Sequence, residues 1–139
     1  MENVTEYGHA IVALLLFVLI VVLRSAMVGA GKAKAGITPG SNPDADYSSS
    51  LYRLNRSHQN GVEIMAAAAI AVFVSIALGV SSWWVNVLMS AFLVTRVIYV
   101  LVYARSIGKP TQGVRTFTYV AGWACIVALC LMSIYAVFF

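Results

Sequence analysis

Charge is scarce in this chain: Asp, Glu, Lys and Arg together make up 10% of its 139 residues. A water-soluble domain carries about 25% charged residues, so there is too little polar surface here to coat one. Acids are scarcer than bases, five against nine, which leaves a formal charge of +4. That balance does not indicate nucleic acid, because such binding needs a basic face open to water and these cations sit beside apolar runs. No nucleic-acid partner is expected. Cysteine is limited to Cys125 and Cys130. Five residues apart on a helix, they point to different faces, so they are read as two small buried hydrophobes rather than a disulfide. Nothing follows about redox compartment. His9 and His58 have no second ligand at useful spacing, so no metal site is expected. Internal repeats, nucleophile motifs and phosphate-binding glycine loops are also missing.

What remains is apolar: 61% of the residues are hydrophobic and the mean hydropathy is +0.88. A membrane-spanning helix needs roughly 20 mostly apolar residues. Four stretches qualify, near residues 9–28, 62–80, 83–103 and 117–139, the first broken only by Arg24. Lipid offers the backbone no hydrogen-bond partners, so these are helices. The expected fold class is an all-α integral membrane four-helix bundle forming a single domain, residues 1–139. The first span is not read as a signal peptide, since Glu2 and Glu6 precede it with no Lys or Arg and its apolar run is too long.

The connections differ. A polar segment from about Gly29 to Asn60 follows the first span and contains a turn-forming run from Gly36 to Asp44. Gly79-Val80-Ser81-Ser82 joins spans two and three. Arg105 to about Gln112, with Gly108 and Pro110, joins three and four. Arg24, Lys32, Lys34, Arg53, Arg56, Arg96, Arg105, Lys109 and Arg115 all belong to the side of the first and third loops. By the positive-inside rule those loops face the cytoplasm and both termini face the periplasm or lumen. Trp83 and Trp84 fall at the far interface. A bacterial inner membrane and the endoplasmic reticulum fit equally.

Ionisable residues inside spans are functional candidates by default. The second helix is expected to start near Ser48 to Ser50, and Arg53, Arg56, Asn60 and Glu63 on it fall within an arc of roughly 80°. Ala66 to Ala69 continue it with room for close neighbours. Arg96, Tyr99 and Tyr103 on the third helix share an arc of roughly 60°. Arg115, Thr116 and Tyr119 cluster at the start of the fourth. With Lys32 and Lys34 at the end of the first, these residues would make a cationic pocket with one acid and three phenols. Guanidinium groups match carboxylates bidentately, while Asn60 and Glu63 could take an ammonium or amides. The ligand suggested is a small zwitterion with more negative than positive charge. Other readings stand beside this one. Arg53, Arg105, Lys109 and Lys34 can be snorkelling residues, Arg96 and Glu63 an internal ion pair, and Tyr99 and Tyr103 packing aromatics.

The run from Arg53 to Glu63 resembles the Arg-x-x-Arg-x-His-x-Asn-x-x-Glu signature of the MAPEG superfamily, membrane-associated proteins in eicosanoid and glutathione metabolism. Arg96 to Tyr103 resembles the family's third-helix pattern, and Arg115 to Tyr119 the start of its fourth. The resemblance implies a homotrimer with glutathione held between subunits near the cytoplasmic face. It implies glutathione binding by Arg56, Asn60, Glu63, Tyr99, Tyr103 and Tyr119, helped by Lys32, with Arg53 and Arg96 in the same polar group and Arg96 on its inner side. Arg115 would stabilise the thiolate and Thr116 would donate a hydroxyl beside it. The co-substrate would be an apolar electrophile or lipid hydroperoxide drawn from the membrane. Gly61 stands where relatives often have Asp, and Tyr99 replaces a His of the prostaglandin synthase, departures that point away from a specialised eicosanoid activity. Two other functions compete: a non-catalytic lipid-binding scaffold of the same family, which would be expected to lack Arg115, and a small multidrug exporter, which would not need the arginines around Glu63.

Overall fold

A computed structural model describes residues 2–108 and 113–139, with no side-chain detail for Glu2 and Asn3. Lys109, Pro110 and Gln112, part of the third loop in the sequence reading, lie outside the described residues, as does the side chain of Glu2. A short turn of helix, α1 (Glu2–Thr5), precedes four long helices: α2 (Gly8–Lys34), α3 (Ser50–Ala77), α4 (Ser82–Ala104) and α5 (Val114–Phe138). All four are long and apolar enough to cross a membrane. The 28 residues of α3 correspond to about 42 Å at 1.5 Å per residue. A hydrocarbon layer is about 30 Å thick, so about 12 Å of α3, roughly its first two turns, extends beyond it.

The helices run alternately up and down. α3 and α4 pack on each other, and each packs on both α2 and α5. The seam is small and tightly filled. Phe17 of α2 meets Phe92 of α4 edge-on at 5.0 Å, and Ala68, Val72, Val85, Met89 and Leu129 are fully enclosed. Ser75 and Ser133 share a buried hydrogen bond at 2.8 Å, which satisfies both hydroxyls between α3 and α5. The outward faces are apolar, with Leu15, Leu19, Leu23, Phe73, Trp123 and Tyr135 among the exposed side chains. The buried set, by contrast, includes Arg24, Asn60, Arg96 and Arg115. Apolar outside and partly polar inside is the arrangement that suits a lipid solvent.

At the end bearing the α3–α4 turn, Tyr7 donates to the Val80 carbonyl at 2.6 Å. Asn86 accepts from the Ala10 amide at 2.9 Å and donates to the Glu6 carbonyl at 2.7 Å. These bonds fix the start of α2 against α4. Trp83 and Trp84, edge-to-face at 4.5 Å, project at this same end, away from the long first loop. That loop approaches α3 through Ser49, whose hydroxyl accepts the Tyr52 amide at 3.3 Å and so caps the helix.

Candidate functional site

Three helices deliver polar side chains to one place at the loop-rich end. Arg56, Asn60 and Glu63 come from α3, Tyr99 and Tyr103 from α4, and Arg115, Thr116 and Tyr119 from α5; together they line a cavity of about 210 Å3. The spacing on α3 explains its share, since positions 56, 60 and 63 recur on one helical face. Within the cavity Arg56 pairs with Glu63 at 3.3 Å, and the Asn60 amide donates to the other Glu63 oxygen at 3.4 Å. Tyr99 and Tyr103 lie 4.8 Å apart, ring centre to ring centre. Tyr119 lies 6.4 Å from Tyr99.

Arg115 is buried among aromatic rings. Only 4% of it is exposed, and its guanidinium carbon lies 4.9 Å from the Tyr103 ring centre and 5.2 Å from that of Tyr47. Its Nε and Nη1 are buried and donate to no acceptor among the described residues. A cation held this way keeps both its charge and its donors, which suits it to meet an anion.

A sequence model of the MAPEG family matches residues 9–135. The chain belongs to the MAPEG family. No curated protein matches it. As a MAPEG protein with four spanning helices it is an integral, multi-pass membrane protein of a family concerned with glutathione-related chemistry.

Three residues grouped with the site from sequence stand apart from this cavity in the MAPEG chain. Arg96 lies beneath it, 2% exposed. It donates from Nη1 to Asn60 Oδ1 at 2.9 Å, and from Nη2 to the carbonyls of Tyr119 at 3.0 Å and Thr118 at 3.5 Å. It does not pair with Glu63, whose carboxylate is taken by Arg56. The reason is depth: one turn of α3 separates Asn60 from Glu63, and Arg96 reaches only the former. Arg53 spends its donors on main chain, with Nε on the Tyr103 carbonyl at 3.1 Å and Nη1 on those of Tyr47 and Ser48 at 2.7 Å each. It clamps the first loop to the end of α4. Lys32 borders a different cavity, about 540 Å3, with His58, Gln59 and Asn42 on the other side of α3. Within one chain, α2 cannot bring it round to Arg115.

Two residues escaped the sequence reading. Tyr47 is in the first loop, where no periodicity predicts which helix it will meet. Next to it, Asp46 accepts the Ser48 hydroxyl at 2.5 Å and the Ser48 amide at 2.8 Å, and these bonds hold its carboxyl below the ordinary carboxylate range. Arg24, which the sequence reading places on the cationic side without giving it a partner, is 8% exposed and donates to Ser57 Oγ and, at 3.3 Å, to the Leu54 carbonyl. Its polar partner on α3 was the missing signal, because Ser57 falls at an unspecified position of the Arg53–Glu63 pattern.

Proposed function

We propose that the protein is a glutathione-dependent membrane transferase or peroxidase that activates the glutathione thiol as thiolate. The observation that carries this reading is Arg115, buried against two phenol rings with Nε and Nη1 lacking an acceptor among the described residues, at the edge of a pocket that also holds a cation–carboxylate pair. Glutathione bears two carboxylates, one ammonium and one thiol. Arg56 and the tyrosine hydroxyls suit the carboxylates, and Glu63 and Asn60 suit the ammonium and amides.

A free thiol with a pKa of about 8.5 is mostly protonated at neutral pH, and a neighbouring cation lowers that value. Arg115 does not deprotonate, so it favours the thiolate by charge and not by acting as a base. Thr116 is proposed as a hydroxyl donor beside the sulfur. The thiolate then forms a carbon–sulfur bond with an apolar electrophile, whose leaving group departs with the electron pair. Alternatively the thiolate takes the terminal oxygen of a lipid hydroperoxide, leaving the alcohol, and a second glutathione thiol displaces that oxygen as water to form the disulfide. Lys32 enters this reading from a neighbouring subunit of a homotrimer, with the first and third loops in the cytoplasm.

The test is an ultraviolet difference titration of glutathione into detergent-purified protein, following thiolate absorbance, with Arg115→Ala alongside. The expected outcome is a thiolate signal in the native protein that is lost in the variant. Binding without any thiolate would instead favour the scaffold reading, and no binding would remove glutathione from the account.

A further inference from the structure

We infer that Tyr47 is the positioning residue for Arg115, and that Arg53 is the clamp that makes it so. Only the catalytic consequence rests on the glutathione reading. Arg115 is held almost entirely by rings. Its guanidinium meets Tyr103 at 4.9 Å and Tyr47 at 5.2 Å, and among the described residues its Nε and Nη1 have no acceptor and it pairs with no acid. Tyr103 also lines the ligand cavity, whereas Tyr47 does not. Tyr47 therefore backs the guanidinium from outside the space a ligand would fill.

The loop carrying Tyr47 is not held by secondary structure, so something else must fix the ring. Its carbonyl, with that of Ser48, accepts from Arg53 Nη1 at 2.7 Å. Its ring meets Tyr52 edge-on at 5.1 Å and Tyr103 at 6.4 Å. Arg53 Nε also reaches the Tyr103 carbonyl at 3.1 Å. One guanidinium thus ties down the backbone behind both rings that contact the other. The choice of rings has a chemical point. A carboxylate would hold Arg115 more tightly but would occupy its donors and cancel its charge. A phenol face attracts the cation without taking up its N–H groups.

The deciding experiment uses no glutathione. Full-length protein in detergent is treated with phenylglyoxal, and modification of Arg115 is followed by peptide mass spectrometry. Tyr47→Ala is expected to raise the rate about thirtyfold, the size of one desolvated cation–ring contact. Tyr47→Phe, which keeps the ring, should label as slowly as the native chain. Arg53→Gln leaves both rings in the sequence but frees the loop, and should also label faster. It serves as the second test if Tyr47→Ala does not fold. Equal rates in Tyr47→Ala and native protein, in Arg53→Gln and native protein, or in the Phe and Ala variants would overturn the assignment. A second readout then links the contact to chemistry: bound-glutathione thiolate absorbance should fall in Tyr47→Ala with binding retained, and return in Tyr47→Phe. Absence of thiolate in the native protein would overturn the glutathione reading alone, since the labelling rates decide the role of Tyr47 without it.

Discussion

Arg96 can cross beneath the pocket only because the helix it faces has no side chain at position 122. A Cβ on Gly122 would stand 2.5 Å from Arg96 Nη2, 2.8 Å from its Nε and 2.7 Å from Thr95 Oγ1. Neither group can retreat freely. Arg96 is fixed by Asn60 and by the Tyr119 carbonyl, and Thr95 donates to the Phe92 carbonyl at 2.7 Å. Gly122→Ala is therefore expected to cost about 1–3 kcal/mol, the usual range for overpacking, seen as a lower thermal midpoint in detergent. Gly61→Ala makes a useful comparison, because its Cβ would meet only Val21 Cγ2, at 3.0 Å. It should cost less. Equal midpoints for the two variants would mean that Arg96 has more room than the packing implies. The same contact bears on the site, since a displaced Arg96 releases Asn60, which shares Glu63 with Arg56.

Three of the long helices end in the same way, and one of them uses a residue poorly suited to it. After α2, Gly36 adopts φ 68° and Ile37 donates back to Lys32 at 3.0 Å; after α3, Gly79 adopts φ 67° and Val80 donates to Ser75 at 2.9 Å. After α4 the same closure, Ile107 to Val102 at 3.0 Å, runs through Ser106 at φ 53°. The left-handed conformation costs a residue with a Cβ roughly 1–2 kcal/mol, and glycine's extra chain entropy returns part of that. Ser106→Gly should raise the unfolding free energy by about 0.5–1 kcal/mol, read from denaturant or thermal unfolding. No gain would show that Ser106 is held by more than its cap. At this scale the sequence was most informative. The four spans follow from composition, and the stripes on α3 and α4 follow from helical period, so Arg56, Asn60, Glu63, Tyr99 and Tyr103 could be grouped before any coordinates. Period says which residues share a face but not how deep an opposing side chain reaches. Hence the alternative of an Arg96–Glu63 ion pair could not be decided from period, and the partner of Arg96 is Asn60, one turn away. Nor does it reach into the first loop, where Tyr47 meets Arg115 of α5 and is tied by Arg53 of α3 to the end of α4, contacts that no spacing encodes.

The molecule as a whole carries a charge pair on its outside. Arg56 and Glu63 keep 40% and 56% of their side chains exposed. They share the outer face of α3 with Val62, Ala66, Ala67, Ile70 and Phe73, all exposed. A carboxylate beside such a face would be costly against hydrocarbon, and a stripe of small residues is what lets another helix approach closely. In the proposed homotrimer a second copy of the chain would cover both. It could also bring the cavity beside Lys32 toward the open side of the pocket, which no movement of α2 within one chain achieves. This is the physical case for the proposed homotrimer, and mass measurement tests it directly. Light scattering or native mass spectrometry in mild detergent should give a protein mass three times the 15.0 kDa chain. Ala66→Trp places a bulky ring on that face and should lower the mass while leaving helical circular dichroism unchanged. A native mass of one chain would leave Glu63 facing lipid and would sink the trimer. An Ala66→Trp protein that remained trimeric would move the interface to another face of the bundle, away from the Arg56–Glu63 pair.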